Sequence, residues 1–184
     1  MNFTAIDFET AHANFPCEIG LAKVENGIVT KSESWLIKPA CFPYMNPWNE
    51  RVHGISSAEL ATEHAFDELW SQIKPYLEDQ FVVAHNAAFD MKVLAETLRY
   101  YDIAFPHIDY FCSVSLSRKV WKHLPKHSLG ALSEFLDIQF NHHRAGDDAR
   151  ACAIITLKAF EKLNTETLEK GIGESGIKLK KLIY

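Results

Sequence analysis

The sequence predicts an α/β fold, a mixed β-sheet flanked by helices, and three observations predict it. Short alternating or wholly apolar runs crowd the first forty positions, a strand-then-helix succession follows, and the last long segment carries an apolar face at helical spacing. With 184 residues the chain has room for one domain with a substantial core, and two full domains would be cramped.

The elements follow in order. Phe3-Thr-Ala-Ile-Asp7 alternates and is rich in aromatic and β-branched residues, so it reads as a first strand that ends at Asp7. Ile19 to Val24 and Ile28 to Ile37 read as two more strands. Between them Asn26-Gly27 is a hairpin signal, because both central positions of a type I′ turn require positive φ. Pro39, Pro43 and Pro47 then break regular structure. Ser56 or Ser57 caps a short helix, and Phe66, Leu69, Trp70, Ile73 and Leu77 form the stripe of an amphipathic helix that bends at Pro75. Phe81-Val-Val-Ala84 is a buried strand, followed by a helix from Phe89 to Tyr101 and a weaker strand from His107 to Phe111. Ser113 or Ser115, and then Ser128, begin two further helices, the second with Leu129, Leu132 and Leu136 on one face. A long helix runs from Ala145 to Leu163. Residues 164–184 change character, with Gly171, Gly173 and Gly176 ahead of Ile177-Lys-Leu-Lys-Lys-Leu-Ile-Tyr184. The division expected is a domain over 1–163 and a C-terminal tail over 164–184 that can dock a partner.

Composition excludes several classes. A hydrophobic share of 47% and a charged share of 23%, without low-complexity tracts, exclude a disordered chain. The formal net charge of −5 excludes a protein that grips a polyanion by bulk positive charge alone. The N-terminal residues lack a basic then apolar leader, and no apolar run approaches a membrane span, so no membrane partner and a cytoplasmic location are expected. Cys17, Cys41, Cys112 and Cys152 are far apart, which argues for reduced, mostly buried thiols and against a zinc site.

An acidic constellation stands out against this background. Asp7 and Glu9 are two apart on a strand, so their carboxylates share one face, an unfavourable pair unless a cation sits between them. Oxygen donors of this kind suit Mg²⁺ or Mn²⁺. Asp90 follows the buried strand where a helix begins, at the kind of strand end where α/β sheets bind ligands. Of Asp147 and Asp148, the second leads the wholly apolar series Cys152, Ile155, Ala159, whereas the first leads Ala151, Ile154, Lys158, so Asp148 faces the sheet and Asp147 faces water. His143 lies in the polar loop Asn141-His-His-Arg-Ala-Gly146, where a histidine suits general-base work near neutral pH, with His142 as its local competitor.

These residues resemble the DEDDh exonucleases, the family of the proofreading ε subunit of bacterial DNA polymerase III, RNase T and oligoribonuclease. Three motifs carry the resemblance in the family's order: Asp7-Phe-Glu9-Thr10, His85-Asn-Ala-Ala-Phe-Asp90, and His143-Arg-Ala-Gly-Asp-Asp148-Ala149. Glu18-Ile-Gly-Leu21 and Val52-His-Gly-Ile55 are softer matches, and coverage runs from about Phe3 to Leu163. The resemblance implies an RNase H-like, five-stranded mixed sheet and a 3′-to-5′ exonuclease. It implies that Asp7, Glu9, Asp90 and Asp148 hold two divalent cations, Mg²⁺ or Mn²⁺, which lie about 3.5–4 Å apart in such sites, and that His143 is the general base. Thr10, His53, Asn86 and Phe89 match positions near the terminal nucleotide. The implied partner is the 3′ end of single-stranded nucleic acid, with DNA favoured over RNA because the first two motifs are closer to ε-like members. A DNA polymerase subunit is the candidate protein partner. A noncatalytic nucleic-acid-binding module on the same fold, and an RNA-directed exoribonuclease, are the alternatives. Two positions depart from the family: Ala11-His-Ala-Asn14 follows Thr10, and Gly146-Asp147 stands where a larger apolar residue is common.

Overall fold

Strands β1 (Phe3–His12), β2 (Phe15–Glu25) and β3 (Ile28–Leu36) form an antiparallel meander in the computed structural model, which describes residues 1–183. The β2–β3 connection is the predicted Asn26-Gly27 turn, with φ of 54° and 79°. Helix α1 (Pro47–His53) corrects one expectation: Pro47 starts a helix instead of breaking the chain. At the first helical turn a missing N–H leaves nothing unpaired, and the Asn46 side chain accepts from the Trp48 N–H. Ser56, rather than Ser57, caps α2 (Ser57–Leu60) in a capping box with Glu59. Helix α3 (Phe66–Ile73) gives way to a 3₁₀ turn over Lys74–Tyr76 that contains Pro75. Next come β4 (Gln80–Ala84), α4 (Ala87–Tyr100), β5 (Ile108–Cys112) and α5 (Ser113–Val120). Strand β5 runs straight into α5, so Cys112 takes the cap position and neither Ser113 nor Ser115 does. Ser128 caps α6 (Leu129–Phe135) as predicted, and α7 (Ala145–Lys162) is the long helix.

Described residues beyond Leu163 add to the domain. They form α8 (Leu168–Ser175) and a short β6 (Lys180–Lys181), with Leu168 and Ile177 buried in the core. Pairing of β6 with β5 adds a strand to the expected five, and the sheet order is β3-β2-β1-β4-β5-β6. β4 and β5 run parallel to β1, the others antiparallel to their neighbours, so the sheet is mixed.

Alternation along the strands sorts the core into two layers. Phe3 and Ala5 of β1, Ala22 and Val24 of β2, Val83 and Phe111 face the layer that contains α7. Ile6, Phe8, Ile19, Leu21, Val82 and Ala84 face the layer that contains α3 and α4. The same period carries Asp7, Glu9, Glu18 and Gly20 onto the α7 side. In α7, Ala149, Ala151, Ala153 and Ala159 are all 0% exposed, and such small side chains let the helix pack closely against the elements around it. The closest approach is at Gly20, where a Cβ would meet the Ala145 carbonyl oxygen at 1.9 Å.

Gly20→Ala must therefore push the start of α7 off the sheet, at an expected cost of about 3 kcal/mol. A urea denaturation midpoint should fall accordingly with an unchanged slope, and a loss under about 0.5 kcal/mol would show that α7 does not depend on this contact.

Candidate active site

The site forms where the parallel ladder stops. β4 pairs with β1 through Ile6↔Ala84 and then ends, while β1 continues to His12 against β2 alone. Asp7 and Glu9 thus stand inside β1, beyond the end of the β1–β4 ladder and not at the end of the strand itself as the sequence suggested. Asp148, in the first turn of α7, is 4% exposed and packs over the same face. Asp7, Glu9 and Asp148 each offer a carboxylate oxygen within 4.8 Å of the others. Asp90, 2% exposed in the first turn of α4, joins them from beyond β4, and its Oδ1 has no hydrogen-bond partner.

Electrostatics set the character of this cluster. Burial, followed by Asp90, Asp148, Glu9 and Glu18, pushes the Asp7 carboxyl well above the usual carboxylate range. Burial raises Asp90 in the same way, against the pull of the N–H groups of Asp90 and Phe8. Burial, Asp148 and Glu18 carry Glu9 up to about 7. Burial also raises Asp148, although His142 and the His143 N–H partly offset it. Four buried or half-buried acids without a compensating cation are unfavourable as carboxylates. An oxygen-only donor set with one orphaned carboxylate oxygen fits hard divalent cations.

The loop before α7 brings both histidines to the acids. The His143 ring Nδ1 lies 3.8 Å from Glu9 Oε1, and its backbone N–H donates to Asp148 Oδ2 at 3.3 Å. His142 Nδ1 lies 3.1 Å from Asp148 Oδ2, and the two rings stack with centroids 3.9 Å apart. Burial and His142 push His143 below its ordinary value, against the opposing pull of Asp148. Asp147 is half-buried, and its Oδ2 accepts from the Asn141 N–H at 3.3 Å.

The four residues expected near the substrate divide. Asn86 is exposed and lines the open cleft above Asp7, Glu9, Asp148 and His143. It holds φ of 77° and His143 holds φ of 68°, so two non-glycine residues in the left-handed region flank the cleft. Phe89 is 40% exposed in the first turn of α4. Thr10 and His53 are buried and bonded to each other: His53 Nδ1 accepts from the Ile55 N–H at 3.0 Å, so Nε2 carries the proton and donates to the Thr10 carbonyl at 3.3 Å. Asn49, which carried no motif, donates to the same carbonyl at 2.9 Å.

Other positioning groups were visible in sequence only as soft matches or not at all. Glu18, 1% exposed, accepts from the Ala145 N–H at 3.1 Å and lies 3.4 Å from Arg144 Nη2, so it fixes the start of α7. Gly146 lets that turn rest on β3: a Cβ there would sit 3.1 Å from Ser34 Cβ, and its carbonyl accepts from the Ser32 hydroxyl at 3.2 Å. This explains the departure from a larger residue in the third motif. His85 Nε2 donates to the His127 carbonyl at 3.0 Å, leaving Nδ1 to accept from the Ser113 hydroxyl at 2.8 Å. Burial holds this ring neutral, at about 4, and it ties the β4–α4 loop to the segment before α6.

The chain belongs to the exonuclease family, whose sequence pattern, that of RNase T, matches residues 4–156. Its architecture and motifs place it among the DEDDh, DnaQ-like exonucleases, enzymes that hydrolyse from the 3′ end. It is 31% identical over 169 residues to a PolC-type DNA polymerase III of Thermotoga maritima, covering 88% of this chain and 12% of that one. It is 30% identical to the 3′-5′ exonuclease DinG of Bacillus subtilis, over 88% of this chain and 18% of that one. To the DNA polymerase III subunit epsilon of Aquifex aeolicus it is 28% identical, over 85% and 76%. The chain thus spans less than a fifth of the length of the first two. Exonuclease X, solved with 5′ overhanging duplex DNA, shares the fold at a TM-score of 0.76 and 23% identity, over 94% of this chain and 99% of that one. The nuclease domain of 3′hExo, a DEDDh member bound to rAMP, does so at 0.74 and 12%, over 97% and 96%. Among the described residues no helix is long and apolar enough to cross a membrane.

The raised carboxyls make stability depend on pH and cations. The folded state holds protons that the unfolded chain has released, so stability is fullest below the ordinary carboxylate value, 4.5 for Glu9, and falls as pH rises through about 7. In chelator, Tm should be higher at about pH 5.5 than at about pH 8, and Mn²⁺ should raise it mainly at the higher pH. Asp7→Asn should raise the metal-free Tm at about pH 8 and blunt the Mn²⁺ effect. A Tm that rises with pH in chelator and ignores Mn²⁺ would refute the repulsion.

Proposed function

We propose that the chain removes nucleoside 5′-monophosphates from the 3′ end of single-stranded nucleic acid, DNA in preference to RNA, with Asp7, Glu9, Asp90, His143 and Asp148 as its catalytic residues. One observation carries this reading: Asp7, Glu9 and Asp148 converge beside two histidines in an open cleft, and the buried Asp90 near Asp7 has an oxygen without a partner. Asp7, Glu9, Asp90 and Asp148 are the groups that would hold two divalent cations, Mg²⁺ or Mn²⁺. When bound, such a pair supplies an activated water and a stabilised leaving 3′ oxygen. The chain's own part is to hold the carboxylates in place, to orient the last nucleotide and to take a proton. Burial and the neighbouring ring favour a neutral His143, the form that accepts a proton from water. Asn86 and Phe89 flank the place for the terminal nucleotide, and Thr10 and His53 hold the β1 backbone beside it.

The DNA preference draws support from the relatives, since PolC and epsilon are parts of DNA polymerase III and Exonuclease X was solved with DNA. These names also favour a second reading, in which the domain edits for a DNA polymerase. All four cysteines are free, in keeping with a reducing compartment such as the cytoplasm.

With a 5′-labelled single strand and Mg²⁺, the protein should yield a ladder shortened from the 3′ end, faster for DNA than for RNA of the same sequence. Asp148→Asn should lower kcat/KM by about 10³-fold and Asp147→Asn by about twofold or less. His143→Ala should cost about 10²- to 10⁴-fold. Shortening that persists equally in Asp7→Ala would overturn the enzymatic reading, and a loss confined to His142→Ala would move the base to the neighbouring histidine.

A further inference from the structure

A second cleft continues from the first. Asn86, Val114 and Arg118 line both, and the far wall of the second is built from α5 and the segment Gly176–Lys180. Its lining contains Arg118, Lys119, Lys178 and Lys180 and no aspartate or glutamate. All four cations are exposed, and among the described residues none lies within ion-pair distance of a carboxylate. In a chain with 19 basic and 24 acidic side chains, this is a local reversal of sign that average composition does not supply.

The wall is fixed rather than trailing. Ile177 is buried, and β6 pairs with β5 through Tyr110↔Lys180 and Asp109↔Lys181. Strand alternation sends Lys180 to this cleft and Lys181 to a different one lined by Asp79 and Asp109. The floor has the same polarity. Burial pushes the Cys112 thiol up, yet hydrogen bonds from the Ser115, Ala87 and Asn86 N–H groups, at the starts of α5 and α4, bring it below its ordinary value. Tyr110 adds an aromatic surface to the lining. A positive groove with an aromatic wall is the surface that nonspecific single-strand binding requires.

We propose that this cleft holds the phosphodiester backbone of the substrate strand on the 5′ side of the reacting nucleotide, with the C-terminal segment as its basic wall. The inference rests on the chain acting at 3′ ends, and it gives residues 176–180 a place in substrate binding. An acidic protein partner on the same surface is the competing occupant, and substrate length separates the two.

The test compares Lys178→Glu, Lys180→Glu and Lys181→Glu, three identical charge changes of which only the first two face the cleft. Two substrates are used in Mn²⁺: a DNA 20-mer and the nitrophenyl ester of a nucleoside 5′-monophosphate, which has no upstream phosphate. The ratio of kcat/KM for the 20-mer to that for the ester should fall about tenfold in each of the first two variants, through KM, and stay within about twofold in Lys181→Glu. The dependence of log KM on log salt for the 20-mer should become shallower by about 0.7 per lysine lost. Equal ratios in all three variants, or equal losses, would overturn the proposal. Binding of the labelled 20-mer in Ca²⁺, read by fluorescence anisotropy, applies the same comparison without turnover. Loss of hydrolysis in the parent protein with the lysine-dependent binding intact would remove the nuclease reading and leave the groove.

Discussion

The structure turns on a repulsion. β1 carries Asp7 and Glu9 onto one face, α7 lowers Asp148 over them, and α4 brings Asp90 in from beyond β4, all in surroundings that disfavour charge. Burial raises all four, and Asp7 is raised further by Asp90, Asp148 and Glu9, so the cluster is destabilising in its ionised form unless cations are present. The surrounding contacts are those needed to hold such a cluster together. Glu18 accepts from the first N–H of α7, and Gly20 and Gly146 allow that turn to lie against two strands.

Around this centre, the loops at the ends of β4 and α6 form the walls of the cleft. His85 is neutral and fully engaged with Ser113 and the His127 carbonyl, and so it braces the wall without entering the chemistry. His53 and Asn49 do the same for Thr10 on the opposite side. Asn86 and His143, both in the left-handed region, face the cleft, and the buried Asp90 near Asp7 keeps an orphaned carboxylate oxygen. Strain and unsatisfied polar groups concentrate where a ligand compensates them.

Much of this was legible from periodicity. The alternation of β1 put Asp7 and Glu9 on one face, and the helical phase of α7 singled out Asp148, which is buried, while Asp147 is half-buried and not, as expected, fully turned to water. The Asn26-Gly27 hairpin and the Ser128 cap followed from local chemistry that tertiary contacts do not override. What was not legible depends on distant partners. β1 extends to His12 because β2 continues to pair with it, a fact outside its own residues. Pro47 reads as a breaker until Asn46 is seen to cap a helix there. The last twenty residues looked like a tail because their glycines and lysines carry no apolar period, yet Leu168 and Ile177 find the core and β6 finds an open sheet edge. Glu18 and Gly20 matter only because α7, more than a hundred positions later, lands on them.

The central claim is that the four acids are one cation site. Calorimetric titration of the chelator-stripped protein with Mn²⁺ at about pH 7.5, in two buffers of different ionisation enthalpy, addresses it directly. The account predicts about two ions per chain, with protons released on binding because Glu9 and its neighbours give up raised carboxyl protons, and it predicts loss of binding in Asp7→Asn. Mn²⁺ uptake that is absent, or that survives Asp7→Asn with the same stoichiometry and no proton release, would contradict it.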